Sequence, residues 1–456
     1  MKRSNTRFTV AYNGDIDLIP RLARYQEVES IFGKLAVDIL GGGRPSFMLA
    51  SATMDDVKKS VTEAHRCGIH YYYLLNSVCQ SNLEWTRAHN KRLVEFIEQL
   101  DEAGIDGVVV ATPYMLDLMK KRFPRIKVSM STFCMTTSPT KAKTWEDLGA
   151  DRIMVMQDMN RNFRILEQIR RAVSCELEIF ATNMCLYQCA FPTAHMPAVA
   201  HASASRSATG GFYIDYCASQ CAFKRLSDPV EFIKGRFIRP EDIHHYEDIG
   251  FDVFKLSGRA KSSEWLERMV KAYSERRYEG NLADLITYPY MSSKGEGTLD
   301  NPFRYLLKSR HINLSVLKTV GKIMEMRDMF SIDNRALDGF LDHFKRFDCD
   351  SAVCGTDCRY CHEIARETVA VDRTRIGTWL AMFREMFDML ADGRAFKRNG
   401  FLKGAFASMV GVLLKLAPRR NKFHMQSGVD STGVGQNKQG RENAGRKAKE
   451  MVGAGR

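Results

Sequence analysis

The chain has 456 residues, 45% of them hydrophobic and 27% charged, with a formal net charge of +13. This length allows a large core and an accessory domain, and the composition is typical of a globular protein. A membrane-spanning protein is excluded at this level because the chain has no run of about 18 uninterrupted apolar residues. No apolar signal core follows the basic residues 1–7, so we expect a cytoplasmic protein.

Part of the positive charge lies at the end of the chain. Between Pro418 and Arg456 there are nine Lys or Arg and three Asp or Glu, in a segment rich in Gly, Asn, Gln and Lys. This composition predicts a disordered basic tail. The net charge is compatible with RNA as a partner, whereas a solvated surface explains the mildly basic body equally well.

Short apolar runs alternate with helical patterns over roughly the first 290 residues. They predict strands at Phe8–Tyr12, Pro45–Ala50, His70–Leu75, Gly107–Ala111, Lys127–Ser131, Arg152–Met156, Glu176–Ala181 and Phe251–Leu256. One helix between most neighbouring strands implies a parallel sheet, and this many units favours a closed (β/α) TIM-like barrel. The chemistry of such barrels sits at the carboxyl ends of the strands, where Ser131, Thr132, Asp158, Cys185 and Lys255 would lie.

After Tyr290 the pattern becomes helical, with helices predicted at Val316–Arg327, Ala336–Phe347 and Arg375–Leu390. We therefore predict three regions: the barrel at 1–290, a smaller helical domain at 291–395, and an amphipathic stretch with the basic tail at 396–456. The stretch Phe396–Leu416 is expected to pack on the body, with a membrane surface as the weaker alternative.

Two cysteine pairs of equal spacing, C-x3-C, occur close together at Cys185 and Cys189 and at Cys217 and Cys221. In a reducing cytoplasm, clustered cysteines indicate metal ligands rather than disulfides. Loops that follow barrel strands can bring the four thiolates together. They would hold an iron–sulfur cluster or, alternatively, a four-cysteine zinc site.

A second group, Cys349, Cys354, Cys358 and Cys361, lies between predicted helices. Its last three members have the C-x3-C-x2-C spacing of radical-SAM enzymes, but too little chain follows to build the barrel of such an enzyme. A second iron–sulfur cluster or a structural zinc ion remain the two interpretations.

Two further residues are candidates for acid–base chemistry. Asp158 is a candidate general base, and its alternative is an ion pair with Arg152 or Arg161. His195 lies inside the cysteine-bearing loop and is a candidate proton carrier, with a purely structural loop histidine as the alternative. Gly41–Gly43 lacks the Lys-Ser/Thr of a P-loop and is interpreted as a turn.

Several segments together carry a resemblance to a known family. They are Lys127–Thr132 with Leu148–Ile153, then Phe180–Cys185, Tyr216–Cys221, Arg239–Ile243 and Phe254–Ser262 (FKLSGRAKS). The chain resembles the U32 family of collagenase-like peptidases over roughly residues 100–290. It has Ser257 where the family block has Glu, and its first cysteine pair is more tightly spaced than in better-understood relatives.

The resemblance also implies an activity and a cofactor. Its better-understood members look like iron–sulfur proteins that hydroxylate without dioxygen, in ubiquinone biosynthesis or on tRNA and rRNA bases, with prephenate as the oxygen donor. It therefore implies a [4Fe–4S] cluster at the core cysteines, and a homodimer or heterodimer with a related U32 protein as a further possibility. Lys255, Arg259 and Lys261 would bind a carboxylate substrate, or else form ion pairs or a solvated face.

Three functions follow as hypotheses. The first is an iron–sulfur hydroxylase or related modifying enzyme acting on a small molecule or an RNA base. The second is a peptidase, although the sequence has neither a His-Glu-x-x-His helix nor a Gly-x-Ser-x-Gly elbow. The third is a non-catalytic RNA-binding or assembly factor that uses the basic tail.

Overall fold

The computed structural model of the protein describes residues 5–182, 185–288, 311–324, 326 and 328–398. Eight parallel strands form a closed barrel in chain order, which confirms the predicted fold class. The last strand pairs with the first, Arg7 opposite Val253 and Val10 opposite Leu256, so the barrel sheet has no free edge. The strands are β1 Arg7–Ala11, β2 Val28–Gly33, β3 His70–Leu75, β4 Gly107–Val110, β5 Lys127–Met130, β6 Arg152–Met154, β7 Glu176–Phe180 and β8 Val253–Leu256.

Helices connect the strands along the chain. Those of the barrel region are α1 Leu18–Leu22, α2 Met54–Arg66, α3 Arg87–Glu102, α4 Pro113–Arg122, α5 Pro139–Asp147, α6 Phe163–Ala172, α7 Pro192–Ala202, α8 Tyr216–Ser227, α9 Val230–Lys234, α10 His244–Glu247 and α11 Ser263–Ser274.

Local sequence signals set several of these boundaries. Helix α2 begins after Thr53, whose side chain accepts from the Asp56 backbone while the Asp56 carboxylate accepts from the Thr53 backbone at 2.8 Å, a capping box. Helix α4 begins with Pro113 after a Thr112 cap and ends just before Pro124. Proline fits the first helical turn but disfavours helical geometry in the residue before it.

One predicted strand is wrong and one was missed. Pro45–Ala50 contains the 3₁₀ turn Ser46–Met48 rather than a strand; Pro45 has no N–H to donate to a sheet ladder. The second strand is instead Val28–Gly33, which pairs with both β1 and β3. The residues that follow Gly33 therefore lie at the carboxyl end of the barrel.

The barrel interior carries charge as well as apolar side chains. Arg152 in β6 donates to Glu29 at 2.8 Å and to Glu176 at 2.7 Å, and Arg7 reaches the same two carboxylates. The Arg152 side chain is only 3% exposed, so these carboxylates compensate a buried cation. The network lies at the start of its strands, opposite the expected catalytic end.

The region after the barrel is mainly helical, as predicted, and packs on the cysteine-bearing helix. Phe387 contacts Tyr216 and Phe223, with ring centroids 5.2 Å and 5.8 Å apart. An antiparallel strand pair, which the sequence analysis did not predict, joins the helices. The elements are α12 Leu314–Met324, β9 Phe330–Ile332, α13 Asp342–Arg346, α14 Tyr360–Thr368, β10 Val369–Val371 and α15 Arg373–Ala391.

These described elements all belong to one compact unit, Met1–His424, and the division at 290 and 395 stays a prediction. The predicted amphipathic stretch and basic tail lie outside the described residues, apart from 396–398. Among the described helices, none is both long enough and apolar enough to cross a lipid bilayer.

Candidate active site at the mouth of the barrel

The carboxyl ends of the strands surround one mouth, and a buried ion pair lies there. Lys34 directly follows β2, and its Nζ is 2.8 Å from Asp38 Oδ2, with both side chains fully buried. The Tyr73 hydroxyl donates to the same carboxylate at 2.9 Å and accepts from the Leu35 backbone at 3.0 Å. Burial lowers the pKa of Lys34, while the Asp38 charge opposes that shift.

Asp38 also fixes the glycine-rich turn. Its Oδ1 accepts from the Gly41 backbone at 2.7 Å, and Gly42 donates to the Ser203 hydroxyl at 3.0 Å. Gly41 has φ +74°, and a Cβ there would lie 2.0 Å from the Ala200 carbonyl oxygen. Only glycine fits this approach, so the segment is a turn, as interpreted from the sequence, and it is tied to the end of helix α7.

Two arginines bring further positive charge to this mouth. Arg259, three residues beyond β8, is 7% exposed, and its Nη1 has no hydrogen-bond partner among the described residues. Burial, with repulsion from Arg44, lowers the pKa of Arg259 to about 9. Arg44 interacts electrostatically with Cys185 as well. A buried guanidinium with an unused donor is suited to a carboxylate or phosphate ligand.

The other two predicted substrate-binding cations have protein partners. Lys255 lies inside the barrel, with its Nζ 3.9 Å from Glu178 Oε2 and 4.0 Å from the centre of the Phe32 ring. Glu178 also accepts a hydrogen bond from the Thr9 hydroxyl. The Lys261 ammonium lies 5.3 Å from the Trp265 ring centre. Of the three, Arg259 is the one with an unused buried donor.

Asp158 follows β6 in the 3₁₀ turn Gln157–Arg161 and is 8% exposed. Burial raises its pKa to about 6, although the Arg236 charge and a hydrogen bond from the Gln188 backbone act in the opposite direction. The alternative ion pairs are not formed: Arg152 bonds to Glu29 and Glu176 at the other end of the barrel. A carboxyl group with a pKa near 6 can exchange protons close to neutral pH.

His195 and Asp215 form a pair next to the core cysteines. His195 Nε2 lies 3.1 Å from Asp215 Oδ1, and Asp215 caps helix α8 by accepting from the Ala218 backbone at 2.9 Å. The His195 interaction helps lower the Asp215 pKa although burial raises it. The pair connects helix α7 to the helix that carries Cys217 and Cys221.

The core cysteines occupy two neighbouring segments. Cys185 and Cys189 follow β7, while Cys217 and Cys221 lie one turn apart on helix α8. Cys189, Cys217 and Cys221 interact electrostatically with one another, and Arg225 Nη1 lies 2.5 Å from Cys221 Sγ. No disulfide joins the described cysteines.

The four core cysteines form the candidate donor set for the implied cluster. Among the described residues, no three His, Cys, Asp or Glu side chains surround one point closely enough to hold a single metal ion. In a cubane cluster each cysteine binds a separate iron, so its sulfurs stay apart around the cluster. Four thiols on adjoining segments, with Arg44 and Arg225 beside them, are a donor set that such an anionic group fits.

The second cysteine group lies beyond the barrel mouth. Cys349, Cys354, Cys358 and Cys361 line one cavity, together with Tyr187 and Gln188 from the loop between Cys185 and Cys189. The two cysteine groups are therefore neighbours in the fold.

Sequence reasoning missed four residues of the mouth: Lys34, Asp38, Arg44 and Tyr73. All depend on β2 or β3, and the strand that places Lys34 was not predicted. The apolar residues Val28, Ile31 and Phe32, followed by Gly33, were the available signal for that strand.

Comparisons with known proteins agree with this architecture. The family model described as "Peptidase family U32" matches residues 40–281. An uncharacterized protease of Methanocaldococcus jannaschii is 26% identical over 80% of this chain and 99% of its own length. The tRNA hydroxylation protein P2 of Bacillus subtilis is 24% identical over 52% of this chain and 77% of its own length.

A 23S rRNA 5-hydroxycytidine synthase of Escherichia coli is 26% identical over 54% of this chain. The alignment spans only 36% of that enzyme. With the family model covering more than half of the chain and a closed parallel barrel carrying the matched segments, the protein belongs to peptidase family U32.

Proposed function

We propose that this protein is an enzyme that hydroxylates a base of RNA without dioxygen. The observation that carries the proposal is a continuous charged site at the barrel mouth. Arg44 interacts electrostatically with both Cys185 and Arg259, so the first cysteine pair and the unused Arg259 donor belong to one charged region. Two similar relatives are named for hydroxylation of tRNA and rRNA, which favours RNA over a small molecule.

In this proposal Cys185, Cys189, Cys217 and Cys221 would hold a [4Fe–4S] cluster. When bound, such a group supplies one-electron chemistry. Hydroxylation converts C–H to C–OH and removes two electrons from the base. A donor alcohol R–OH that ends as R–H would supply the oxygen atom and accept both electrons, so the exchange of H for OH between base and donor balances. The nearby Arg44 and Arg225 would compensate the negative charge of the metal-bound thiolates.

The chain's own residues would position the oxygen donor. Arg259 and Arg44 offer guanidinium groups to a carboxylate, and prephenate, which carries carboxylates and a hydroxyl, is the donor we propose. The Lys34–Asp38 pair keeps the Gly41–Gly43 turn against helix α7 and so shapes the site. Asp158, with its pKa near 6, is the candidate to accept a proton from the reacting base.

Two measurements test the proposal. After anaerobic purification, iron, acid-labile sulfide and zinc are determined. The chain is then produced in a host that lacks its own RNA hydroxylation proteins, and digested RNA is analysed by mass spectrometry. We expect a nucleoside heavier by one oxygen atom with the natural chain, and its loss with Cys217→Ser.

Cys67→Ser is the matched control, because Cys67 precedes β3 and so lies at the opposite end of the barrel. It should leave both the iron content and the modified nucleoside unchanged. Unmodified RNA together with a purified protein that holds only zinc would overturn the proposal. Peptide cleavage by metal-free protein, with RNA unchanged, would overturn it in favour of a peptidase.

A further inference from the structure

The second cysteine group forms a compact loop around a cavity of about 260 Å³. Cys349 opens a short 3₁₀ turn, and Cys361 lies in the first turn of helix α14. Between them, the Gly355 backbone donates to the Cys358 carbonyl at 2.9 Å and the Val353 backbone donates to Asp357 Oδ2 at 2.8 Å. The loop is thus held by its own hydrogen bonds.

Beside the cavity lie two buried arginines, neither of which forms an ion pair with a carboxylate among the described residues, whereas Lys234 lies 3.3 Å from Glu231. Arg161 and Arg236 are 2% and 4% exposed. Arg161 Nε and Nη2, and Arg236 Nε, have no hydrogen-bond partner among the described residues. Arg236 lines the cavity directly, as does Lys234. Burying unpaired charge is costly unless an anion compensates it.

The same cations face the cysteines. Arg161 interacts electrostatically with Cys361 and Cys349, and Lys234 interacts with Cys354. Aromatic rings cover the other side of Arg161, whose guanidinium lies 4.5 Å from the Phe340 ring centre and 5.2 Å from that of Phe344. Arg236 and Lys234 thus line a cavity that four cysteines also line, and Arg161 lies close enough to interact with two of them.

The size of the cavity favours a cluster over a single ion. A structural zinc site draws four sulfurs to about 2.3 Å from one point and leaves no cavity between them. Here the four cysteines line a cavity of about 260 Å³. A polynuclear group in which each thiolate binds its own iron fills this space.

We propose that Cys349, Cys354, Cys358 and Cys361 hold a second iron–sulfur cluster, compensated by Arg161, Arg236 and Lys234. The site lies outside the residues matched by the family model, 40–281. It goes beyond the proposed function and stands or falls separately from it, since the cysteines of the two sites are different.

The proposed second cluster would lie next to the segment that carries Cys185 and Cys189. The Tyr187 hydroxyl donates to Asp350 Oδ1 at 2.8 Å, and the Arg236 guanidinium lies 3.6 Å from the centre of the Tyr187 ring. Tyr187 lies between Cys185 and Cys189 in the chain, so the segment bearing the first cysteine pair also forms a wall of the second cavity.

The test uses the full chain, purified anaerobically, and compares metal content and reduced-state electron paramagnetic resonance. Cys354→Ser and Cys358→Ser are the variants, because Cys354 is exposed and Cys358 only half-buried, and Cys67→Ser is the control. We expect each variant to lose about half of the iron and half of the sulfide and to lose one of two cluster signals. Circular dichroism confirms that the variants fold.

Cys217→Ser should lose the other half of the iron and sulfide and keep the paramagnetic signal of the second cluster. If Cys217→Ser removes all iron while Cys354→Ser and Cys358→Ser keep the full amount, the second cluster is refuted and the proposed function survives. Zinc that is lost in Cys358→Ser, with iron unchanged, likewise overturns the cluster. Iron retained in Cys217→Ser but lost in Cys358→Ser supports the second cluster even if RNA hydroxylation fails.

Discussion

Lys34 and Asp38 form an ion pair of 2.8 Å in which neither side chain is exposed to solvent. The pair joins the end of β2 to the Gly41–Gly43 turn and, through Tyr73, to β3. The ion pair stabilises the barrel mouth, because it fixes the backbone beside Arg44 and Arg259. The contribution of this ion pair to stability can be measured separately from that of Arg259, whose Nη1 has no hydrogen-bond partner among the described residues.

Asp38→Asn should lower the free energy of unfolding by about 3–5 kcal/mol, because it leaves the Lys34 ammonium buried without its counter-charge. Combining Asp38→Asn with Lys34→Met should recover part of that loss, since no unpaired cation remains. Urea unfolding of the two single variants and the double variant gives the coupling energy. Additive losses would show that the two side chains do not stabilise each other.

Arg259→Met should leave the protein equally stable or more stable, because Arg259 is a buried cation with an unused donor. The same change should weaken binding of prephenate at least tenfold, about 1.4 kcal/mol. Calorimetric titration with prephenate and thermal unfolding measure the two effects independently.

Lys261→Met is the matched control, because Lys261 lies against the Trp265 ring. It should change prephenate binding by less than Arg259→Met does. Equal losses in the two variants would show that binding depends on net positive charge rather than on the Arg259 side chain.

Asp215→Ala should destabilise the segment around the core cysteines by about 1–2 kcal/mol, because it removes the cap of helix α8 as well as the contact with His195. Asp215→Asn keeps a capping oxygen and should cost less. Hydrogen exchange of helix α7 provides the local measurement: protection should fall most in Asp215→Ala. Unchanged exchange in both variants would contradict a role for this pair in holding the loop.

The barrel could be predicted because seven of its eight strands are short apolar runs that alternate with helical patterns. Val28–Gly33 was missed because its two polar residues, Glu29 and Ser30, interrupt the apolar run. Pro45–Ala50 was mistaken for the second strand on apolar content alone, although Pro45 opens it. Cysteine spacing indicated both groups of thiols without the structure.

Side-chain contacts formed by irregular loops and by distant segments were beyond the reach of these patterns. The Lys34–Asp38 pair depends on how the chain turns after β2, and the His195–Asp215 pair depends on how two helices of one loop meet. Arg161 and Arg236 precede the second cysteine group by more than 100 residues in the chain. Local periodicity carries no information about such pairs. The cationic lining of the second cavity could therefore be recognised only in the folded structure.

Glu146 offers a test of stability against pH away from both cysteine groups. At the end of helix α5, its Oε1 accepts from the Ser174 and Cys175 backbones at 2.7 Å and 2.9 Å and from the Ser174 hydroxyl at 2.8 Å. The Lys143 ammonium and these donors lower its pKa to about 2 from an ordinary 4.5. The carboxylate is thus stabilised in the folded state relative to the unfolded chain.

A depressed pKa contributes stability that is complete above the unfolded-state pKa of 4.5 and is lost as the pH falls toward 2. Glu146→Gln keeps the side-chain shape but removes the charge, so it should lower the free energy of unfolding by about 1 kcal/mol at pH 7. The difference from the natural chain should shrink at pH 4 and further at pH 3. Asp117→Asn, in an exposed pair with Lys121, is the control and should cost only a few tenths of a kcal/mol. A Glu146→Gln difference that stays constant from pH 7 to pH 3 in urea unfolding would contradict the assignment, because the loss would then come from shape rather than from the ionised carboxylate.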